Sequence, residues 1–129
     1  MLKIEEKKIY FLIAKTTSFL EVPLANIEDI AAMKIAAIAG RGIKRDFIDL
    51  YFVIHEEKTA SLEEVLTFYD KKFKVLQKNA IHIFRSLTFF EEADQTKMPD
   101  MLKVVEWKDV KKFFTIETKH VAKQFFSKI

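Results

Sequence analysis

The sequence predicts a mainly α-helical protein of the α+β class, with a short N-terminal β-hairpin followed by a bundle of about five helices. The 129 residues include 13 Phe but only 2 Gly and 2 Pro, and so few turn-forming residues favour helices over a protein of many strands. Apolar residues recur with the helical period in the later segments. Near the N-terminus, short runs of β-branched and aromatic residues are typical of strands instead.

The predicted hairpin covers about residues 8–22. Residues 9–14 are rich in β-branched and aromatic side chains, residues 16–18 form the turn, and residues 19–22 supply the second strand. Because an isolated hairpin is only marginally stable in water, we expect it to pack on the helices or on a polypeptide outside this chain.

The first predicted helix begins after the strands. Asn26 is the expected N-cap, and Asp29 three residues later completes a spacing like that of a capping box. The helix is predicted to run to about Ala39, because Gly40 and Gly42 follow it and glycine is common just beyond a helix C-terminus.

Four more helices are predicted. The second covers about residues 44–55, and the capping box formed by Ser61 and Glu64 opens the third. The apolar residues that hold the helical period of the third are Leu62, Val65, Leu66, Tyr69, Phe73 and Leu76. Asn79 is the expected cap of the fourth helix, residues 91–100 are predicted to be an extended loop, and the last helix covers about residues 107–127. The expected inward-facing side chains of these two helices are Ala80, Ile83, Phe84, Leu87, Val110, Phe113, Phe114, Val121 and Phe125.

Composition indicates a single cytoplasmic domain over residues 1–129. The chain has no cysteine, which excludes disulfides and thiolate chemistry. Its apolar runs are shorter than the ~20 residues that span a bilayer, and acidic residues near the N-terminus do not fit an export signal. The net charge of +3 is spread among interspersed acids and bases, so nucleic-acid binding is left open by the sequence.

Lys34 is the one polar side chain between Ile30 and Ala39. A helix that is apolar on all sides is usually buried on all sides. The lysine must therefore extend its ammonium group to solvent, pair with an acid, or line a pocket for an anion.

Asp46 and Asp49 are three residues apart and share a face of the second helix, among apolar and aromatic neighbours. Two carboxylates in such surroundings are costly unless they meet cations, and the candidate cations are Lys34, Arg41 and Arg45. Arg45 and Asp49 are four residues apart, so an ordinary ion pair along the helix is an alternative interpretation.

The same cluster could instead hold a nucleotide. Lys34 or Arg41 would contact phosphates, and Asp46 would orient the nucleotide or activate an acceptor hydroxyl. Gly40 and Gly42 match neither a P-loop nor a dinucleotide-binding motif, so any phosphate site would depend on side chains.

Residues 29–34 (DIAAMK) and 41–51 (RGIKRDFIDLY) resemble the third and fourth motifs of the AbiEii/AbiGii toxin family. These proteins are nucleotidyltransferase-like and occur in abortive-infection and toxin–antitoxin systems. The segment 86–94 and residues 101–102 are also similar to later segments of the family, so the resemblance runs from about residue 20 to the end of the chain.

The resemblance implies that Lys34 lies near a nucleoside triphosphate and that Arg41 helps to form the rest of the active site. Arg45 is a further candidate for binding the nucleotide. The resemblance also implies catalytic roles for Asp46 and Asp49. The first half of the family carries a Gly-Ser or Gly-Gly motif and an Asp-x-Asp pair that binds the catalytic metal, and this sequence contains neither. We therefore expect that the chain alone binds no cofactor, and that Mg²⁺ and a nucleoside triphosphate bind once a partner completes the site.

Two hypotheses follow. In the first, the chain is the C-terminal helical half of a nucleotidyltransferase-like toxin, inactive alone, with a separately encoded N-terminal half or an antitoxin as partner. In the second, it is a helical interaction module without catalysis, which binds an antitoxin, another protein or a second copy of itself, the last through its hairpin edge. The sequence leaves open whether the chain is an enzyme.

Overall fold

The structure, a computed structural model, describes residues 8–11, 20–23, 27–58, 60–100 and 104–127. Its helices are α1 (Ile27–Gly40), α2 (Lys44–Tyr51), α3 (Leu62–Phe73), α4 (Leu76–Leu87), α5 (Glu91–Asp94) and α6 (Trp107–Ser127). In this part of the chain all of them except α5 have eight residues or more. The prediction of a mainly helical protein with about five helices is confirmed.

Two four-residue strands precede the helices. β1 (Lys8–Phe11) pairs antiparallel with β2 (Leu20–Pro23), and Lys8 lies opposite Pro23. The turn predicted at residues 16–18 lies outside the described residues, as does the predicted cap Asn26. The hairpin as a complete unit, and the surface it packs on, therefore stay predictions.

Helix α1 is the central element of the bundle. It packs against α3, α2 and α4, and α6 closes the core by packing on α2, α4 and α3. The core-facing side of α1 includes Ala31, Ala32 and Ile35, all fully buried, and the two alanines leave room for close approach of the neighbouring helices. In the part of the chain that the structure describes, no helix is long and apolar enough to cross a membrane.

Phe47 of α2 joins this helix to the C-terminal part of the chain. Its ring is fully buried and lies 5.3 Å from that of Phe90, 5.8 Å from that of Trp107 and 5.4 Å from that of Phe114, measured between centroids. Tilted and edge-on aromatic contacts of this kind add to the stabilisation from apolar burial. They fix α2, and with it the two aspartates, against α6.

The reversal between α1 and α2 depends on glycine. The amides of Arg41 and Gly42 both donate to the carbonyl of Ala37, at 2.7 and 3.1 Å, which closes the last turn of α1 as predicted. Gly42 has a φ of +59°, and a Cβ atom there would lie 3.2 Å from the carbonyl oxygen of Ile38. A side chain at this position would be strained, so the glycine permits the tight turn.

The second helix has the predicted extent but changes its geometry towards its end. After Tyr51 it continues as a π-helical turn, Phe52–Glu56, and the amide of Glu57 donates to the carbonyl of Phe52 at 2.7 Å. The wider turn lies directly after the segment that carries Asp46 and Asp49. Such single π turns are frequent near functional sites.

The capping box that opens α3 is confirmed. The side chain of Glu64 accepts from the amide of Ser61 at 2.9 Å, and the hydroxyl of Ser61 accepts from the amide of Glu64 at 3.1 Å. These bonds satisfy two amide donors that a helix N-terminus otherwise leaves free.

The predicted cap of the fourth helix is wrong. Asn79 lies inside α4, where its amide donates to the carbonyl of Val75 at 3.0 Å. Lys74 ends α3 in the left-handed conformation, and Oδ1 of Asp70 then accepts from the amide of Leu76 at 3.1 Å. The cap of α4 therefore comes from the preceding helix, and Leu76 belongs to α4 rather than to α3.

The extended loop predicted over residues 91–100 is wrong for its first four residues, which form α5. Ala93 is fully buried, and Oδ1 of Asp94 accepts from the indole nitrogen of Trp107 at 2.7 Å and from Lys111 at 3.0 Å. These contacts with α6 hold the short helix in place, although its sequence is polar. The inward-facing residues predicted for α4 are buried, and on α6 Val110, Phe114 and Val121 are buried while the other two are half-buried.

Candidate functional site

Lys34 forms an ion pair with the two aspartates of α2. Its ammonium nitrogen lies 2.6 Å from Oδ2 of Asp49 and 3.5 Å from Oδ1 of Asp46. The side chain keeps 22% of its surface exposed, whereas both carboxylates are almost fully buried. An ammonium group has three N–H donors, so Lys34 can still offer a bond towards solvent while it holds both acids.

Arg41 forms the second ion pair of the cluster. Its Nε donates to Oδ2 of Asp46 at 2.9 Å and one terminal nitrogen donates to Oδ1 at 3.0 Å. This two-pronged arrangement uses the planar guanidinium fully and fixes the carboxylate in one orientation. The arginine side chain is 62% exposed, so its other edge remains open to a ligand.

Asp49 is less completely satisfied than Asp46. Its Oδ1 is buried and has no hydrogen-bond partner among the described residues. Burial raises the pKa of the Asp49 carboxyl, and the attraction of Lys34 and Arg45 opposes that rise. Buried acceptors are normally bonded, so Asp49 is the less fully satisfied of the two carboxylates.

The alternative pair along α2 is not formed. Within the part of the chain that the structure describes, no hydrogen bond or ion pair joins Arg45 to Asp49, although Arg45 attracts the carboxylate through space. Arg45 is exposed, whereas Lys34 reaches Asp49 from α1. The structure thus brings together four of the five predicted site residues in direct contact, with Arg45 at the edge.

The cluster is electrically balanced, since Lys34 and Arg41 neutralise the two buried aspartates. Removing one partner of such a network leaves an uncompensated buried charge, which costs about 3–5 kcal/mol in fully buried pairs. Both Asp46 oxygens and one Asp49 oxygen are engaged with these cations. In the described residues no group of three or more His, Cys, Asp or Glu side chains is arranged to hold a metal ion.

A pocket of about 500 Å³ adjoins the cluster at Arg41. It lies between the end of α1 and the second half of α4, and α5 contributes Glu92. His82 connects the two walls, because its Nε2 lies 3.0 Å from the carbonyl oxygen of Ala39 and donates to it. Arg85 and Phe89 also line the pocket.

His82, Arg85 and Phe89 line this pocket but were not predicted as functional residues from the sequence. The signal available was partly their spacing: His82 and Arg85 are three residues apart, which places them on one face of α4, whereas Phe89 lies beyond the end of the helix. That pattern alone does not reveal that the end of α1 lies opposite.

The family model described as "Nucleotidyl transferase AbiEii toxin, Type IV TA system" matches residues 2–123. The uncharacterized protein aq_aa25 of Aquifex aeolicus (strain VF5) is 34% identical over 96 residues, which cover 74% of this chain and 44% of that protein. The chain therefore spans less than half of the length of that relative. No solved structure matches this chain.

Proposed function

The chain belongs to the AbiEii nucleotidyl transferase toxin family, and on that premise we propose that it supplies the C-terminal, phosphate-binding part of a nucleotidyltransferase-like toxin. Lys34 and Arg41 contact the phosphates of a nucleoside triphosphate, and Arg45 adds positive potential nearby. The observation that carries this proposal is that Lys34 is held 2.6 Å from buried Asp49 yet keeps part of its surface exposed.

The resemblance implies catalytic roles for Asp46 and Asp49. Their burial supports a different contribution, since Asp46 is fully buried and both of its oxygens are bonded to Arg41. We propose that the two carboxylates act as positioning groups, which hold the ammonium of Lys34 and the guanidinium of Arg41 in fixed orientations. Cations fixed in this way stabilise developing charge on phosphate oxygens without reorganisation during the reaction.

The metal-binding acids belong to another part of the complete enzyme in this proposal. Nucleotidyl transfer uses magnesium to neutralise charge on the phosphates, and the sequence lacks the Gly-Ser and Asp-x-Asp motifs of the family. A partner polypeptide that carries those motifs would complete the site, and the chain alone would be inactive. An antitoxin would be a second partner.

A protein-interaction module without catalysis is the second candidate function. The observation that favours it is the outer side of α1, where Met33 is 57% exposed next to Lys34 and Ile30 is only partly buried. In the leading proposal this apolar surface would face the remainder of the enzyme. The two candidates differ in one respect that can be measured, which is nucleotide binding.

Calorimetric titration of the folded chain with a nucleoside triphosphate and magnesium tests the phosphate site. The informative variant is Lys34→Gln combined with Asp49→Asn, which removes both charges but keeps groups able to hydrogen-bond each other. Loss of one charge-assisted contact should weaken binding about tenfold or more. Circular dichroism and thermal unfolding would show that the variant remains folded.

A second ion pair, exposed on the protein surface and also involving α1, provides a control. Lys72 and Asp29 form an exposed ion pair at 3.2 Å between α3 and α1, and Lys72→Gln with Asp29→Asn makes the same chemical change elsewhere. This control should bind the nucleotide as the parent does. Equal triphosphate binding by the parent and the Lys34 variant would overturn the proposed site and favour the interaction module. The same conclusion would follow if the parent bound no triphosphate at millimolar concentration even after addition of a family polypeptide that carries the missing motifs.

A further inference from the structure

We propose that the pocket between the ends of α1 and α4 binds a nucleotide unit, with the base on Phe89 and the phosphate on Arg85. The nature of the ligand rests on the nucleotidyl transfer proposed above, but the residues are different from those of the Lys34 cluster. The pocket volume of about 500 Å³ lies within the range typical of sites for small ligands.

The aromatic wall is the first observation. Phe89 lines the pocket and is 52% exposed. A large apolar ring that is exposed in this way lacks the stabilisation that burial would give it. Stacking of a nucleobase covers such a ring and contributes about 1–3 kcal/mol per base. A flat aromatic ligand is therefore favoured over a compact inorganic ion.

The charged wall is the second observation. The side chain of Arg85 lines the pocket, is exposed, and forms no hydrogen bond or ion pair within the described part of the chain. Its guanidinium is thus available to phosphate, which it can bind with two parallel bonds. Arg85 and Phe89 line the same pocket, so one ligand can reach both.

Glu92 excludes a simple anion site. Its carboxylate lines the same pocket and offsets one positive charge, and the guanidinium of Arg41 is already neutralised by Asp46. A carboxylate accepts hydrogen bonds from ribose hydroxyls or from amino groups of a base. One free guanidinium, one carboxylate and one open ring together match the parts of a nucleotide better than those of free phosphate.

Arg41 connects this pocket with the Lys34 cluster. It lines the pocket and also forms the two-pronged ion pair with Asp46. Lys34 lies seven residues earlier on α1, about 10 Å along the helix axis. A nucleotide in the pocket would therefore lie beside the proposed phosphate-binding residues, as either the incoming triphosphate or the end of an acceptor strand.

Three substitutions test the pocket without disturbing the buried ion pairs. Arg85→Gln and Phe89→Ala remove the two ligand groups at exposed positions. Gly40→Leu fills the cavity instead, because a Cβ atom at Gly40 meets nothing within 4 Å and the change removes no native contact. The controls are Lys119→Gln and Ile116→Ala, which remove an exposed cation and an exposed apolar side chain from α6.

Each protein is titrated with a nucleoside triphosphate, with a 5′-phosphorylated single-stranded oligoribonucleotide and with inorganic phosphate. We expect all three pocket variants to weaken binding of at least one nucleotide probe about fivefold or more, while both controls bind as the parent does. If the pocket variants bind the triphosphate more weakly, the pocket holds the free nucleotide. If they bind only the oligoribonucleotide more weakly, the pocket holds the end of a strand. Unchanged binding of both nucleotide probes, or equal binding of inorganic phosphate, overturns the inference.

The two proposals fail in different ways. In one outcome, the Lys34→Gln/Asp49→Asn variant loses triphosphate binding, while all pocket variants keep both triphosphate and oligoribonucleotide binding. This outcome would reject the nucleotide pocket and support the proposed function. In the other outcome, nucleotide binding depends on Arg85 and Phe89 but not on Lys34 and Asp49. This outcome would reject the proposed phosphate site and support the pocket.

Discussion

Lys34 has a structural role that depends on a neighbouring helix and not on its own apolar helix. The lysine satisfies two buried carboxylates on a neighbouring helix, and without it those carboxylates would carry an uncompensated desolvation cost. Part of its side chain is nevertheless exposed, unlike the carboxylates it binds. The residue can therefore stabilise the fold and present a fixed positive charge at the same time.

The Asp49→Asn substitution should make stability less sensitive to pH. Burial raises the pKa of Asp49 in the folded chain above the 3.8 of a free side chain, so the folded state binds the proton more tightly than the unfolded state does. The resulting stabilisation is full below 3.8 and is lost as pH rises through the folded-state pKa. Asparagine carries no such proton, and each tenfold difference in proton affinity is worth about 1.4 kcal/mol.

Urea unfolding of the parent and the asparagine variant at several pH values measures this effect. The free energy of unfolding of the variant, minus that of the parent, should increase as pH rises from below 3.8 to neutrality. Groups outside this cluster titrate alike in both proteins and cancel in the difference. A difference that stays constant or decreases would contradict the raised pKa.

Which cation meets which aspartate could not be read from the residues alone. The spacing of Asp46 and Asp49 predicts that they share a helix face, and this is confirmed because both are buried on the side that meets α1. Lys34, Arg41 and Arg45 were equivalent candidates, because the choice depends on the turn at Gly42. That turn sets where α1 lies relative to α2.

At the scale of elements, helix ends with local capping signals are predicted well. The capping box of Ser61 and Glu64 depends on bonds between residues three apart, so the sequence contains all of it. The start of α4 depends on Asp70 of the previous helix, and α5 depends on Trp107 of the next one. Both were mispredicted because their stabilising partners lie outside the local window.

The Ser61→Ala substitution should lower the free energy of unfolding by about 1 kcal/mol, because the amide of Glu64 loses its acceptor. Chemical denaturation of both proteins measures the change. Thr115→Ala is a suitable control, since the Thr115 hydroxyl bonds to a carbonyl within an exposed part of α6 and alanine has the higher helix propensity. Equal stability of the parent and the Ser61 variant would show that the box contributes nothing.

At the scale of the whole molecule, the chain corresponds to part of a longer relative. The matched segment covers 44% of the Aquifex protein. The exposed surface beside Lys34 is apolar at Met33. These observations support an active site that is shared between this chain and a second segment.

The chain incubated with a labelled nucleoside triphosphate, magnesium and a cell extract should transfer no more labelled nucleotide to macromolecules than the extract does without the chain. A family polypeptide that carries the Gly-Ser and Asp-x-Asp motifs, added from the same organism, should restore transfer with release of pyrophosphate. The Lys34→Gln/Asp49→Asn variant should not be rescued, whereas the surface control Lys72→Gln/Asp29→Asn should be. Transfer by the chain alone would contradict the proposed division of the site.

The sequence by itself determined the helical class, most helix limits and the residues of the charged cluster, because periodicity, capping and residue chemistry act over a few positions. Only the tertiary structure decided that Lys34 and Arg41, rather than Arg45, bind the buried aspartates. It also decided that α4 meets the end of α1 to form a pocket. Both features depend on contacts between residues far apart in the chain, which are set by how the helices share one core.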